Sequence, residues 1–364
     1  MPVARAAVQH GVDQPLAIEE VNVATPIGRE VLVRTVATGV CGSDLHMLKG
    51  HMGRPLPTIP GHESAGIVEA IGPDVTHVRP GDHVVCCLST FCGECERCLS
   101  GQPNLCETRD LDDRPAGAEP RLSQEGAIVH QFARISGFAD LMLVHENTVV
   151  AVADDTPMAQ AALVGCCVTT GVGAVFNTAR LEPGSTAAVW GLGGVGLSAI
   201  QGARLAGARE IIAVDIRDDK LEVATRFGAT QLVNASREDP VRAIRSLTRR
   251  GVDYAFEAIG LAQTTEQAFT ATRPGGAAVL IGIIPDGVDI AVSGRYLLAD
   301  RRLMGSSMGS NRFRFDIPKY LDLYRQGRLL LDELISHRVA LDGVNEAFDA
   351  MEAGERTRTV LTFD

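Results

Sequence analysis

The chain has 364 residues, 45% of them hydrophobic and 22% charged, with a formal net charge of −11. Those values are ordinary for a globular protein and leave room for two domains. The acidic balance, with neither a Lys/Arg run nor a basic stripe, argues against a nucleic-acid binder or a protein held on anionic membranes.

The chain begins MPVARAAVQHG, which holds no apolar core of signal-peptide length, so no targeting segment is expected. Residues 1–85 read as β-rich, since runs such as 30–36 and 65–71 cluster β-branched residues between Gly and Pro breaks. Just after the first of these comes Gly39-Val-Cys41-Gly-Ser43-Asp44-Leu-His46, which crowds four chemically active side chains. Gly61-His62-Glu63 follows behind a proline and adds a nitrogen ligand.

Residues 86–130 are loop-rich and show little periodicity, so they need a staple other than an apolar core. Cys92-Gly-Glu-Cys95-Glu-Arg-Cys98 and then Cys106 supply one, as C-x2-C-x2-C-x7-C. Four soft ligands at that spacing suit a closed, tetrahedral structural zinc site that folds the lobe around it. An iron–sulfur cluster and disulfides are the other uses of such spacing, and the missing Cys-Pro ending weakens the first. The remaining cysteines are Cys41, Cys86, Cys87, Cys166 and Cys167, nine in all. An odd, clustered set in a long chain favours metal binding in a reducing, cytoplasmic setting over a secreted framework.

From residue 186 the texture changes to strand–helix alternation. Apolar runs at 186–190, 211–214, 253–257 and 277–281 alternate with helix-like stretches at 195–206, 218–227, 240–249 and 264–272. That alternation predicts a parallel sheet covered on both faces. No run of about 18 uninterrupted apolar residues is present to span a bilayer. The richest apolar segment, 187–205, is broken by Gly191, Gly193, Gly194 and Gly196. After residue 305 the texture is mixed, ending in an amphipathic stretch at 344–351 and an apolar strand at 359–363.

The first run of the alternation enters Gly191-Leu-Gly193-Gly194-Val195-Gly196 and then a helix, while the second ends in Asp215, 19 residues beyond Gly196. Glycines allow a tight turn and close backbone approach to a pyrophosphate, whose charge a helix N-terminus favours. An acid ending the next strand bonds the ribose hydroxyls. Asp215 repels a 2′-phosphate and so favours NAD over NADP, though Arg217 nearby leaves some NADP use open. Lys220, shortly beyond, belongs with the cofactor-binding residues. A second metal is assembled from distant pieces: Cys41, His62 and one of the pair Cys166/Cys167 make a Cys2His set with a fourth position open, the form of a catalytic zinc.

Together GVCGSDLH, GHESAGIVEAIG, CGECERCLSGQPNLC, VGCCVTTG, VWGLGGVG and the ending RTRTVLTF resemble the zinc-containing alcohol dehydrogenases of the medium-chain dehydrogenase/reductase family, over essentially the whole chain. The resemblance implies a mixed α/β fold. A partly open, GroES-like β-barrel catalytic domain (1–167 and 306–364) is interrupted by an NAD-binding Rossmann domain with a doubly wound parallel sheet (168–305). It implies two zinc ions per chain: a catalytic one on Cys41, His62 and Cys166, and a structural one on Cys92, Cys95, Cys98 and Cys106. Of the cysteine pair, the Gly-Cys-x-x-x-Thr-Gly pattern selects Cys166 and leaves Thr170 facing the nicotinamide. Asp44 and Glu63 surround the metal, Ser43 and His46 form a proton relay, and Arg358 binds the pyrophosphate.

There are departures from the pattern. Gly42 stands where many members are basic, Ser64 where Gly or Ala is usual, and Leu88 where an aromatic pocket wall is common. Smaller than an aromatic wall, Leu88 implies room for a bulky or branched substrate, and with Phe132 and Ile283 it implies an apolar lining and hence an apolar alcohol or aldehyde as the small-molecule partner. The implied reaction is reversible hydride transfer between a primary or secondary alcohol and NAD. A thiol-adduct (S-hydroxymethyl) formaldehyde dehydrogenase is the alternative within this architecture, and a polyol dehydrogenase is disfavoured because it replaces the Cys166-type ligand by an acid. A non-catalytic redox sensor using Cys86, Cys87 or Cys167 is the alternative from another class. The long stretch between Cys106 and Cys166, with its polar loop 110–116, resembles the dimeric branch. That implies a homodimer paired around 277–292, with a tetramer as the other assembly.

Overall fold

The computed structural model describes residues 1–108, 111 and 113–363. Of the polar loop 110–116, residues Asp110 and Asp112 lie outside the described residues. The chain divides into two compact units: Met1–Cys166, Arg312–Arg325 and Leu331–Asp364 form the first, and Cys167–Asn311 with Gln326–Leu330 the second.

The first unit is built mainly on β-sheets. Its main sheet runs in the order Val149–Val152, His83–Cys86, Glu63–Ile71, Glu30–Gly39, Thr359–Thr362, His337–Val339, with Leu141–His145 also pairing with Glu30–Gly39. Thr359–Thr362 lies antiparallel to Glu30–Gly39, with Val360 opposite Gly39, so the C-terminal strand closes directly beside the Cys41 turn. A four-stranded sheet begins with Val3–Val8 and Ala17–Val23. Alternation along these strands fills two cores, one built on Val31, Val33, Val84 and Met142, the other on Val8, Ile59, Phe138 and Phe348. The lobe between Cys92 and Cys106 keeps only the short helix Glu96–Leu99 and a 3-10 turn, neither of which buries a residue.

The second unit is a six-stranded parallel sheet in the order Gln231–Asn234, Glu210–Asp215, Thr186–Trp190, Val252–Glu257, Thr272–Leu280, Arg302–Gly305. In chain order this is 3-2-1-4-5-6, the doubly wound arrangement whose order reverses beside the first strand. Local chemistry sets the helix ends. Asp239 caps Pro240–Thr248 by accepting from the Val241 and Arg242 N–H groups, with Pro at the first helical position. Asp218–Phe227 stops at Gly228, whose φ of +116° few other residues adopt. The excursion Gln326–Leu330 belongs here because the Gln201 amide both accepts from the Leu330 N–H (2.7 Å) and donates to its carbonyl (3.0 Å).

A continuous helix that no expected element covers, Met158–Ala179, is wound with wide π turns at Val164–Val168 and Ala174–Ala179. By length and composition alone it is long and apolar enough to cross a membrane. Gln160, Thr169 and Thr170 interrupt its apolar run, which is why uninterrupted runs did not reveal it. Since 89% of its most apolar window is buried inside the protein, it is a core helix, apolar on every side because every side is covered.

Candidate metal centres and active site

The strand Glu30–Gly39 ends at Val40, and Cys41 caps the helix Gly42–Leu48. The cap is reciprocal: the Asp44 carboxylate Oδ2 accepts from the Cys41 N–H (3.1 Å), while the Cys41 side chain faces the first-turn backbone. The other oxygen of Asp44 accepts from the Gly61 N–H and from His62 Nδ1, both at 3.0 Å. Gly61 has φ +89°, and a Cβ there would sit 2.5 Å from Phe138 Cδ1 and 2.6 Å from its nitrogen, so only glycine delivers His62 at this place. With Nδ1 held by Asp44, His62 turns Nε2 toward Cys166 Sγ, 3.3 Å away.

Cys41, His62 and Cys166 thus bring their ligand atoms within 4.8 Å of one another, all three buried. Tetrahedral zinc, with Zn–S of about 2.3 Å and Zn–N of about 2.0 Å, sets ligand atoms roughly 3.5 Å apart, so the set fits that metal. Charge points the same way. The Cys41 thiol is held well below its ordinary range, first by a hydrogen bond from Cys166 and then, against burial, by Arg358 and His62. Cys166 is pushed well above it by Cys41 and by burial. His62 is raised because Asp44 and Cys41 outweigh burial. A dication bound here would take the place of the protons these groups share, leaving the thiolates and the neutral imidazole as its ligands.

The other expected neighbours are here too. Ser43 Oγ lies 4.0 Å from Cys41 Sγ, and His46, half-buried, sits one helical turn further on. Phe132, buried, stands edge-on to the His62 ring at 5.6 Å, while Leu88 packs against the Val31/Val33 core. Glu63 is buried and paired with Arg358 at 3.2 Å. Arg358 also donates to the Val40 carbonyl at 2.9 Å and lies 3.9 Å from Cys41 Sγ. Arg358, which the resemblance assigns to the pyrophosphate, is seated beside the metal set, because the antiparallel pairing of Thr359–Thr362 with Glu30–Gly39 delivers it there.

In the lobe, Cys92, Cys95, Cys98 and Cys106 also converge within 4.8 Å. Cys92 Sγ is 3.8 Å from Cys98 Sγ, and Cys95 Sγ is 3.9 Å from Cys106 Sγ. A disulfide needs about 2.05 Å, whereas four thiolates on tetrahedral zinc stand about 3.8 Å apart. Backbone N–H groups of Glu94 and Cys95 point at Cys92 Sγ (3.3 and 3.2 Å). The Thr108 hydroxyl and these donors hold the Cys92 thiol down at about 6, while burial sends Cys98 up to about 12. Outside the clusters, burial pushes Cys86 to about 12 and Cys87 to about 11, leaving inert thiols unsuited to a redox switch.

In the second unit, Gly193 caps the 12-residue helix Gly194–Leu205. A Cβ on Gly196 would lie 1.8 Å from the Gly191 carbonyl oxygen, so the turn closes only with glycine there. A Cβ on Gly193 would meet nothing within 4 Å, and Gly193 is exposed between buried neighbours. The turn therefore offers open space over the free N–H groups of a helix start, the cradle a pyrophosphate fits. Asp215 accepts from the N–H groups of Leu192 (3.0 Å), Ile216 (2.8 Å) and Arg217 (3.1 Å), which fixes its carboxylate beside the turn. Arg217 is engaged with Asp219 in a two-pronged pair at 3.0 and 2.8 Å. Thr170 donates to Met308 Sδ at 3.4 Å, Val195 and Lys220 are half-buried, and Ile283 is 42% exposed.

Comparison with known proteins gives a consistent result. Residues 28–154 match the alcohol dehydrogenase GroES-like domain, and residues 194–326 match the zinc-binding dehydrogenase domain. The chain is 38% identical to S-(hydroxymethyl)glutathione dehydrogenase of Paracoccus denitrificans, covering 99% of each chain. Among solved structures it is similar to benzyl alcohol dehydrogenase from Acinetobacter calcoaceticus, with 34% identity, a TM-score of 0.94 and all of both chains covered. A zinc-binding dehydrogenase from Sinorhizobium meliloti 1021 bound to NADP is 27% identical, with a TM-score of 0.82 over all of both chains.

Proposed function

The chain belongs to the zinc-containing alcohol dehydrogenases of the medium-chain dehydrogenase/reductase family, NAD(P)-dependent oxidoreductases acting on alcohols, and from that premise we propose that it interconverts a primary or secondary apolar alcohol with its aldehyde or ketone, using NAD. The observation that carries this reading is the buried Cys41–His62–Cys166 set, oriented by Asp44 and followed within one helix by Ser43 and His46. Cys41, His62 and Cys166 hold the catalytic zinc, and Cys92, Cys95, Cys98 and Cys106 the structural one. Bound zinc supplies Lewis acidity toward the alcohol oxygen, and the nicotinamide supplies a hydride acceptor. Ser43 takes the hydroxyl proton and His46 carries it toward solvent. Asp44 keeps His62 Nε2 aimed at the thiols, and Phe132 presents an apolar edge to the site. Glu63 and Arg358 balance each other's charge beneath Cys41.

Gly191–Gly196 cradle the pyrophosphate, with Thr170 and Lys220 among the further cofactor contacts. NAD is favoured because Asp215 is fixed as an anion-repelling acceptor and Arg217 is committed to Asp219. The nine free cysteines suit a reducing cytoplasm. Ile283, Val288, Leu297 and Leu298, exposed next to the sheet-edge strand Arg302–Gly305, support a homodimer formed there. Light scattering giving a monomer would remove that assembly.

A second reading is favoured by the 38% identical relative, whose name specifies an S-hydroxymethyl thiol adduct. One screen separates the two. Purified protein of measured zinc content is assayed with NAD and with NADP against aliphatic, aromatic and terpene alcohols, and against formaldehyde with and without a low-molecular-weight thiol. Turnover of apolar alcohols supports the first reading. Turnover confined to formaldehyde plus thiol replaces it with the second, and none at all with fully zinc-loaded protein rejects both.

A further inference from the structure

His46 is bonded to a second histidine that the mechanism above does not use. His46 Nδ1 and His51 Nδ1 lie 3.1 Å apart, with ring centroids 5.4 Å apart and planes inclined at 47°. Two ring nitrogens at hydrogen-bond distance share one proton, since two N–H groups or two lone pairs facing each other would repel. The turn that ends the helix Gly42–Leu48 makes the pairing. Gly50 has φ +75°, and the His51 N–H donates to the His46 carbonyl at 3.0 Å, which folds the second ring back over the first. His46 is half-buried and His51 exposed, so the pair runs from the site outward to water.

We propose that His51 is the outer member of the proton relay, taking onto its Nδ1 the proton that His46 passes on and releasing one from its own Nε2 to solvent. The proposal rests on the Ser43–His46 relay above. His51 acts through His46 and touches no reacting atom. The protons balance. His46 begins with its proton on Nδ1, donated to the bare Nδ1 of His51. A proton arriving at His46 Nε2 lets the shared proton cross, and the Nε2 proton of His51 then leaves. Each ring is neutral before and after, with one proton in and one out. The shared proton finishes on the His51 side, the arrangement that carries a proton inward during carbonyl reduction. The surroundings favour outward passage. Burial, His51 and Lys49 hold His46 below its ordinary value against the opposing pull of Cys41, while Lys49 is itself engaged by Glu352.

The test follows single-turnover alcohol oxidation in weakly buffered solution with a pH indicator, using zinc-loaded native, His51→Gln and His46→Gln proteins. His51→Gln is expected to slow proton release about tenfold, less than direct loss of an acid–base group, and added imidazole is expected to restore it. An unchanged rate, or a slowed rate that imidazole leaves unchanged, overturns the proposal. If His46→Gln also releases protons normally, the underlying relay fails. A slow His46→Gln beside a normal His51→Gln removes the outer step alone. Nitrogen NMR of histidine-labelled protein without substrate gives an independent reading: a shared Nδ1–H···Nδ1 bond is expected in native protein and lost in His51→Gln. Two unlinked rings in the native protein would overturn the pairing.

Discussion

Asp44 makes three contacts on two separate pieces of the chain, with the Gly61 N–H and the His62 ring on one and the Cys41 N–H on the other, and it is fully buried while doing so. Replacing it by Asn keeps the size and removes the charge that fixes His62 with Nε2 toward the thiols. Zinc at the Cys41 set is expected to bind about 10–100-fold more weakly in Asp44→Asn, as competition with a chelator would read, with the lobe zinc retained. Affinity equal to native protein would mean that Asp44 only caps its helix. The ligands were visible in sequence as residue types, but their meeting was not, because Cys166 lies 104 residues from His62. Family likeness supplied that link where periodicity could not. The pairing of Arg358 with Glu63 is illegible for a related reason: only the pairing of the final strand with Glu30–Gly39 brings these distant residues together.

At the scale of elements, the second unit was the most legible part of the chain. Strand–helix alternation, Asp239–Pro240 at a helix start and Gly228 at a helix end are all local signals, and the four expected strands lie within a few residues of their place, while the short strands Gln231–Asn234 and Arg302–Gly305 carry no such signal. The helix Met158–Ala179 was not legible, since burial on all sides erases the amphipathic period by which helices are recognised. The nucleotide turn allows a sharp test. Gly196→Ala would drive a methyl group to 1.8 Å from the Gly191 oxygen, so the turn must open. NAD binding measured by fluorescence titration is expected to be lost with zinc content intact, and native affinity would show that the turn tolerates a side chain. The lobe makes a different prediction, because metal rather than packing holds it. Cys98→Ser is expected to lower Tm by several degrees and to expose the segment around Glu96–Leu99 to protease, leaving the Cys41 zinc bound. An unchanged melting curve and proteolytic pattern would show that the lobe folds without its metal.

Over the whole molecule, acid should act on both units through carboxylates held by distant partners. Glu30 is buried, which alone would raise its pKa, yet hydrogen bonds from Arg114, the Ile27 N–H and Arg121 bring it below the ordinary value. Glu146 is lowered in the same way, with Arg29 and the N–H groups of Thr76 and His77 outweighing burial. In the second unit Asp253 is lowered because the Thr186 N–H and hydroxyl and Arg273 outweigh its burial. None of the arginine–carboxylate pairs is local, Glu30 reaching 84 and 91 residues along the chain to its two arginines, so sequence patterning gives no sign of them. The sign follows from the direction of the shifts. Each group has a folded pKa below its unfolded value of about 3.9 for Asp or 4.3 for Glu, so the folded state holds fewer protons. Their stabilisation is therefore complete above those unfolded values and is lost as pH falls through the lower folded ones. Urea midpoints are expected to be level with respect to these groups from neutrality to about pH 5 and to fall steeply below about pH 4. Glu30→Gln leaves Arg114 and Arg121 without their carboxylate, so it should unfold more easily at neutral pH and show a shallower acid slope. If the variant loses stability at neutral pH but keeps the full acid slope, Glu30 is not among the groups whose protonation unfolds the first unit.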